Sequence, residues 1–472
     1  MKELPIHIQL HSKSDKTLYE QIYEYIRNEI RAGSLLQNEK LPSARYLADY
    51  LQVSRTTVDM AYGQLVAEGY LEAKPKRGYY VSAAADHPYE MEMSSPGGEA
   101  QYMPEEEQAA FAYDFSPNAI DMRFFPYATW KKITKNILVD AKSSMFALGE
   151  PQGDIELRTT ICRYLHGSRG VNCEPEQIII GAGNDFLLLL LEKILGRHIH
   201  VAMENPTYVR AYKIFRSFAY PVTLVSMDEN GICVDALRKA DAQVAYVMPS
   251  HQYPTGVAIP IGRRMELLKW AAEEEGRYLI EDDYDSEFRY KGKPLPSLQA
   301  SDTHGRVVYI GTFSKAIAPA IRISYMVLPY PLLEKYREEC GFFSSSVSRI
   351  DQTILNEFIR DGYFERYLNK MRKQYRMKHD FLLNELKPFE KDFQISGGSA
   401  GLHILLTDTK GRCEEELASL AENAGVKVYC MGEFRLDQNE KEPEPATMIL
   451  GYGGLSMEEI REGIERLKKV WL

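Results

Sequence analysis

Near the start of the chain, apolar residues recur every three to four positions: Leu18, Ile22, Tyr25, Ile26 and Ile30 in "LYEQIYEYIRNEIRAG". That spacing lines one face of a helix, which Gly33 stops. "LPSARYLADYL" predicts a second helix capped by Ser43. "QVSRTTVDMAYGQLVAEGY" predicts a third, capped by Ser54, with Val58, Ala61, Tyr62 and Leu65 on its buried face. Two short helices joined by a three- or four-residue turn make a helix-turn-helix. "YLEAKPKRGYYVS" then changes period and predicts a hairpin with a basic tip of Lys74, Lys76, Arg77 and Gly78.

The pattern breaks at residues 83–110, "AAADHPYEMEMSSPGGEAQYMPEEEQAA", which are acidic, rich in turn formers and without apolar periodicity. This reads as a linker that spans roughly 90 Å fully extended and nearer 30 Å as a flexible coil. Beyond it, strand-like and helical runs alternate: "EQIIIGAG" with "NDFLLLLLEKIL", "HIHVAME" with "TYVRAYKIFRSF", then "QVAYVMPS", "RRMELLKWAAEEEG", "RYLIEDDYD" and "RVVYIGTFS". Such alternation predicts an α/β fold with a mostly parallel sheet covered by helices. "LNKMRKQYRMKHDFLLNELKPF" opens a smaller α+β end region. The expected organisation is a DNA-binding head at 1–82, a linker at 83–110 and a body at 111–472.

Composition narrows the classes. An apolar content of 44% and a charged content of 26% are ordinary for a soluble globular protein. The run "FLLLLLEKIL" falls short of the roughly 18 apolar residues of a membrane span. "MKELPIHIQLHSKSDK" lacks the apolar core of a leader, so a cytoplasmic location is expected. The six cysteines are scattered with no CxxC pair, which argues against a disulfide framework or a zinc site, and no metal is expected. The net charge of −10 argues against nucleic acid, but it is uneven: residues 1–82 carry eleven Lys/Arg against ten Asp/Glu. A basic face is possible only at that end.

In the head, Ser54, Arg55, Thr56 and Thr57 fall at the start of the third helix, the end that enters a major groove. There Arg forks onto guanine and hydroxyls hold phosphate, while Lys76 and Arg77 suit the backbone. In the body, Lys315 and Arg322 stand among the apolar residues of "VVYIGTFSKAIAPAIRISYMV". A buried ammonium is costly unless paired or neutralised, and a core lysine with its head at the surface is one answer. Four neighbours suggest another. Ala182, Gly183 and Asn184 in "IIIGAGNDF" offer backbone N–H groups at a helix start. Asp282 and Tyr284 end a buried strand in "RYLIEDDYDSEF", where an Asp cluster could also bind metal or be a solvated strand end. Arg322 is a second cation suited to phosphate, and Tyr208 in "ENPTYVRAY" can stack on a flat ring. Together these match pyridoxal 5'-phosphate, which bonds to a lysine amine and needs an acid at its ring nitrogen.

"LPSARYLADYLQVSRTTVDMAYGQLVAEGYLEAKPKRGYYV" resembles the winged helix-turn-helix of the GntR regulators, which implies Arg45, Arg55, Thr57 and Gly78 at DNA. Asp59 stands where some relatives carry a basic or amide residue. Residues 112–472 resemble the fold type I aminotransferases. By that resemblance Lys315 bonds the cofactor, Asp282 faces the pyridine nitrogen, Tyr284 contacts the ring oxygen and Tyr208 stacks. Ala182, Gly183, Asn184, Thr312, Ser314 and Arg322 then serve the phosphate. "PSHQYPTGV" is similar to the family's HNPTG turn, but Tyr253 replaces the asparagine, for which His251 or Gln252 could substitute. Head and body together resemble the MocR subfamily, whose members include GABA-responsive and vitamin B6-responsive regulators. That resemblance implies a head-to-tail homodimer, a double-stranded operator and a small-molecule effector. Arg210 and Arg435 are the implied effector contacts, although alignment sets Glu433 at the arginine's place. Ile449 stands where a transaminase anchors its substrate carboxylate with arginine. The expectation is therefore a regulator sensing vitamin B6 ahead of an amino compound, with a pyridoxal-phosphate aminotransferase carrying a DNA-binding extension as the alternative.

Overall fold

The computed structural model describes residues 8, 10, 16–83, 111–139, 143–290, 294–398, 400–436 and 445–472. All but the first residue of the expected linker lies outside them. The chain divides into two units, Met1–Gln108 and Ala109–Leu472.

In the first unit, helices α1 (Leu18–Arg31), α2 (Ala44–Leu51) and α3 (Arg55–Ala67) precede the antiparallel strands β1 (Leu71–Lys74) and β2 (Gly78–Val81). The caps are the expected ones: Ser43 Oγ accepts from the Tyr46 N–H and Ser54 Oγ from the Thr57 N–H. Ile22, Ile26, Leu47, Val58, Ala61, Tyr62 and Leu65 form the core. Leu18 and Tyr25, expected on the same face as Ile22, are less covered, because each lies at the margin of the buried stripe. The hairpin pairs Lys74 with Gly78, and Gly78 takes φ 105°, a left-handed value that other residues adopt only with strain.

The body is built on an eight-stranded sheet. In spatial order its strands are Ile178–Gly181, Ser324–Val327, Val307–Thr312, Tyr278–Asp283, Val244–Val247, Val201–Asn205, Val222–Asp228 and Gly231–Ile232. The five strands from Val307–Thr312 to Val222–Asp228 run parallel. Helices cover both faces, so the strands Ile178–Gly181, Val244–Val247 and Tyr278–Asp283 are buried along their length and begin as unbroken apolar runs. Ser324–Val327 is antiparallel to both neighbours. The eleven residues that join it to Val307–Thr312 are too few for a crossover helix, which takes a dozen or more. This short connection carries Lys315 and Arg322. The carboxyl ends of Ile178–Gly181, Tyr278–Asp283 and Val307–Thr312 meet at one sheet edge, since Gly181 pairs with Ser324, Ser324 with Thr312, and Ile310 with Asp282.

The smaller end region is a four-stranded antiparallel sheet, Phe393–Ser396, His403–Asp408, Thr447–Gly451 and Tyr429–Cys430 in spatial order. It carries the long helix Tyr363–Leu386 and the terminal helix Met457–Trp471. Among the described residues no helix is long and apolar enough to cross a membrane.

Candidate functional site

The converging strand ends enclose a cavity of about 250 Å³, at the small end of ligand pockets, which run roughly 300–1,000 Å³. It brings together Lys315, Asp282, Tyr284, Tyr208, Asn184, Thr312, Ser314, Arg322 and Arg210, with Asn118, Asp185 and Tyr253 added. Ala182, Gly183 and Arg435 do not line it. The Ala182 N–H donates to Ser346 Oγ at 3.1 Å and the Gly183 N–H to the Gly181 carbonyl at 2.8 Å, so neither points free at an anion. Gly183 matters differently: at φ 95° it leaves room for the Arg322 guanidinium, into which a Cβ would run. Arg322, itself at φ 49°, shares Asp185 with Arg210, at 3.5 and 3.4 Å. Thr312 Oγ1 accepts from the Ser314 N–H and from Ser324 Oγ, while Ser314 Oγ has no hydrogen-bond partner among the described residues.

Lys315 sits one residue before the end of a four-residue helix, Phe313–Ala316. Its Nζ donates to the Pro117 carbonyl at 2.8 Å and lies 5.7 Å from the centre of the Tyr284 ring. Desolvation lowers its pKa below the ordinary lysine value, against a smaller opposing pull from Asp285. A larger fraction of neutral amine is what a nucleophilic lysine needs.

Asp282 is buried, and its two hydrogen-bond partners, the Tyr246 hydroxyl and the Asn184 amide, are both neutral. Desolvation, with repulsion from Asp283 and Asp285, pushes its pKa up to about 7. A carboxyl whose folded pKa is raised keeps its proton on folding. Its contribution to stability is intact below an unfolded pKa of about 3.9 and is lost as pH rises towards 7. Asp282→Asn in cofactor-free protein is therefore expected to raise stability by up to about 4 kcal/mol at pH 8 and by much less at pH 5. Thermal melts at the two pH values check this, and an equal effect at both would contradict it. The same substitution is expected to weaken binding of a cation at that carboxylate.

Behind Tyr284 lies His251, one of the two residues that could stand in for the missing asparagine. His251, 3% exposed, sets Nδ1 2.9 Å from the Tyr284 hydroxyl and 3.0 Å from Asp285 Oδ2. The His403 ring lies tilted against His251, 5.4 Å between ring centres, and is held neutral by burial, with its pKa lowered to about 3. Gln252 is committed elsewhere, donating to the Pro206 carbonyl and accepting from Thr255. Of the two residues considered for the missing asparagine, only His251 reaches the tyrosine that lines the cavity.

On the head, Arg45, Ser54, Arg55, Thr56, Lys76 and Arg77 are exposed, and Gly78 is half-buried. Ser54 and Thr57 hydroxyls lie 2.7 Å apart, so both take part in the cap, leaving Arg55 and Thr56 as the open side chains of the first turn. Arg55 Nε lies 3.3 Å from Asp59 Oδ2 on the exposed helix face.

The head matches the bacterial regulatory proteins of the gntR family over residues 18–81, and the body matches the class I and II aminotransferases over residues 118–467. The chain is 40% identical over 460 residues to the uncharacterized HTH-type transcriptional regulator YdeL of Bacillus subtilis, covering 97% of each. It is 29% identical to the "Probable rhizopine catabolism regulatory protein MocR" of Rhizobium meliloti, over 97% of this chain and 94% of the relative. The chain belongs to the MocR subfamily of GntR-type regulators. Another relative, the HTH-type pyridoxine biosynthesis transcriptional regulator PdxR of Corynebacterium glutamicum, is 30% identical over 92% of each chain. Among solved structures, an archaeal alanine:glyoxylate aminotransferase superposes with a TM-score of 0.68 at 26% identity, covering 76% of this chain and 90% of that one.

The aminotransferase class I and II body of this MocR-type regulator implies pyridoxal phosphate binding, and the GntR head implies DNA binding. The residues present fit the cofactor. Ser314 Oγ is an unpartnered donor at a helix start, Gly183 opens room for Arg322, and Asp282 is a buried carboxylate bonded only by neutral groups. Around the pocket, the register of the loop after Tyr429–Cys430 was not visible in the sequence. Phe434 packs its ring 5.2 Å from Tyr253, and its carbonyl accepts from the Thr207 N–H. Glu433 is exposed, and Arg435 lies beyond the lining. Ile449 is wholly buried with Leu405 and Met431.

Proposed function

We propose that this regulator binds a repeated operator through α3 and the β1–β2 wing, and that its body holds pyridoxal phosphate on Lys315 as the sensing element. Bound there, the cofactor would supply an electrophilic carbon that amines attack and an electron-withdrawing ring. Asp282 would hold the protonated ring nitrogen, a cation in place of the neutral partners it has now. Tyr284, backed by His251, meets the ring oxygen. Tyr208 stacks, and Ser314, Thr312, Asn184 and Arg322 serve the phosphate.

The observation that carries the effector reading is the cation inventory of the cavity. Lys315, Arg322 and Arg210 are its cations among the described residues, and the two arginines share Asp185. Among the described residues no arginine besides these two lines the cavity to support a carboxylate end, Arg435 lying outside the lining and Ile449 being buried in its strand. This favours pyridoxal phosphate itself as the effector, in keeping with the pyridoxine regulator among the relatives. An amino compound is second. Titrating cofactor-loaded protein with GABA while recording its visible spectrum tests the order. No saturable change at low GABA concentration is expected. A saturable change that Arg435→Ala removes would reverse the order.

The working form on this reading is a homodimer. Leu138, Val139, Phe146 and Leu148 are large apolar residues 49%, 73%, 68% and 86% exposed, more than a lone soluble body leaves uncovered on so short a stretch. Sedimentation should give a dimer, and Leu148→Glu combined with Phe146→Glu should move it towards monomer. A wild-type monomer at micromolar concentration would rule the dimer out.

A further inference from the structure

Away from the pocket, the helix Ile155–Arg169 and the turn after it gather three soft donors. Cys162 and His166 stand four residues apart and so share a helix face. Gly170, at φ 66°, turns the chain back and returns Cys173 to both. Cys162 Sγ lies 3.8 Å from His166 Nε2, and the three donor atoms all fall within 4.8 Å of one another. Cys162 and Cys173 are 5% and 2% exposed, while His166 is exposed and lies on the solvent side.

We propose that Cys162, His166 and Cys173 bind a thiophilic d10 metal ion of the zinc class. Cysteine sulfur bonds zinc at about 2.3 Å and imidazole nitrogen at about 2.0 Å, so a tetrahedral site has a sulfur–nitrogen edge of roughly 3.6 Å. Cys162 and His166 already stand close to that edge. The present contacts of these groups converge on the Cys173 backbone: its carbonyl accepts from Cys162 Sγ at 3.2 Å and lies 2.8 Å from His166 Nε2, and its N–H lies 3.4 Å from the same nitrogen. That carbonyl or a water completes four-coordination. Glu174 and Glu176 add negative potential nearby, and burial, their carboxylates assisting, raises the Cys162 thiol above its ordinary value. Burial raises Cys173 further. Metal-free, both thiols keep their protons at neutral pH. Binding releases two protons as the two thiolates form, so affinity rises with pH. Nothing here depends on pyridoxal phosphate, and Lys315→Ala leaves the site unchanged.

The test uses the full chain, stripped with chelator and kept reduced with a phosphine, with Cd²⁺ as the optical probe and Zn²⁺ as competitor. One Cd²⁺ per chain is expected to give the ultraviolet sulfur-to-cadmium charge-transfer band, and Zn²⁺ should displace it. Cys162→Ala and Cys173→Ala should each remove most of the band, while Cys413→Ala, an exposed cysteine elsewhere, should leave it intact. His166→Ala changes an exposed side chain and so spares the fold. It should weaken Zn²⁺ binding by about tenfold or more, with circular dichroism unchanged. No band in the wild type, or a band that survives in the Cys162/Cys173 double variant, would overturn the site.

Discussion

Lys315→Ala is expected to abolish the visible absorbance of the reconstituted protein and, with it, every response to added ligand, while operator affinity stays within about twofold of the cofactor-free wild type. The reasoning is local. Among the described residues Lys315 is the one lysine lining the cavity, and its pKa is lowered by desolvation. Asp282 and Tyr284 line the same cavity, and on the proposed reading they would face the ring nitrogen and ring oxygen of a lysine-bound pyridoxal. Reduction of the wild type with borohydride should fix the pyridoxyl group to the chain, and peptide mapping should recover it on Lys315. Recovery on another lysine would contradict the assignment.

Arg55→Ala is expected to cost about 1–3 kcal/mol on the specific site, roughly 5- to 150-fold in affinity, with sequence preference relaxed at one base pair. In the free head Arg55 pairs with Asp59, but both partners are largely exposed, 69% and 43%, and such a pair is worth at most about 1 kcal/mol. A bidentate contact to guanine outweighs it, so the pair yields on binding. Substituting Lys76 or Arg77 should behave differently, weakening all sequences alike and flattening the salt dependence by about one unit for each phosphate left without its cation. Binding isotherms on specific and scrambled duplexes at several salt concentrations separate the two patterns. An Arg55→Ala loss equal on both duplexes would make Arg55 a backbone contact.

Much of this was legible along the chain because it rests on local physics. Ser43 and Ser54 are caps within three residues of the N–H groups they accept from, and the apolar period of α1 and α3 needs no tertiary partner. The sheet was readable from unbroken apolar runs. Lys315, Asp282 and Tyr284 stood out because charged and polar residues at the ends of buried strands have few structural uses. What escaped depends on contacts distant in sequence. His251 meets Tyr284 and Asp285 across 33 and 34 residues, and no spacing rule links them. The Ala182 N–H turns to Ser346, 164 residues away, rather than to an anion. The loop at Glu433–Arg435 is set by a backbone bond from Thr207 to the Phe434 carbonyl, which places Phe434 among the pocket aromatics. Cys162, His166 and Cys173 escape notice in the sequence because no CxxC pair joins them. The signal that could have found them is a Cys and a His at helical i,i+4 spacing followed by a second Cys just past a turn.

The central claim, that ligand at Lys315 and DNA at α3 are read by one regulator, is tested most directly by operator affinity with and without pyridoxal phosphate. DNA retained by the purified full chain supplies the operator, and fluorescence anisotropy on that duplex supplies the affinity for wild type and Lys315→Ala. A several-fold change on adding pyridoxal phosphate to the wild type, absent from Lys315→Ala at equal starting affinity, is the predicted result. Identical affinities with and without the cofactor in the wild type, or the same change in Lys315→Ala, would contradict it.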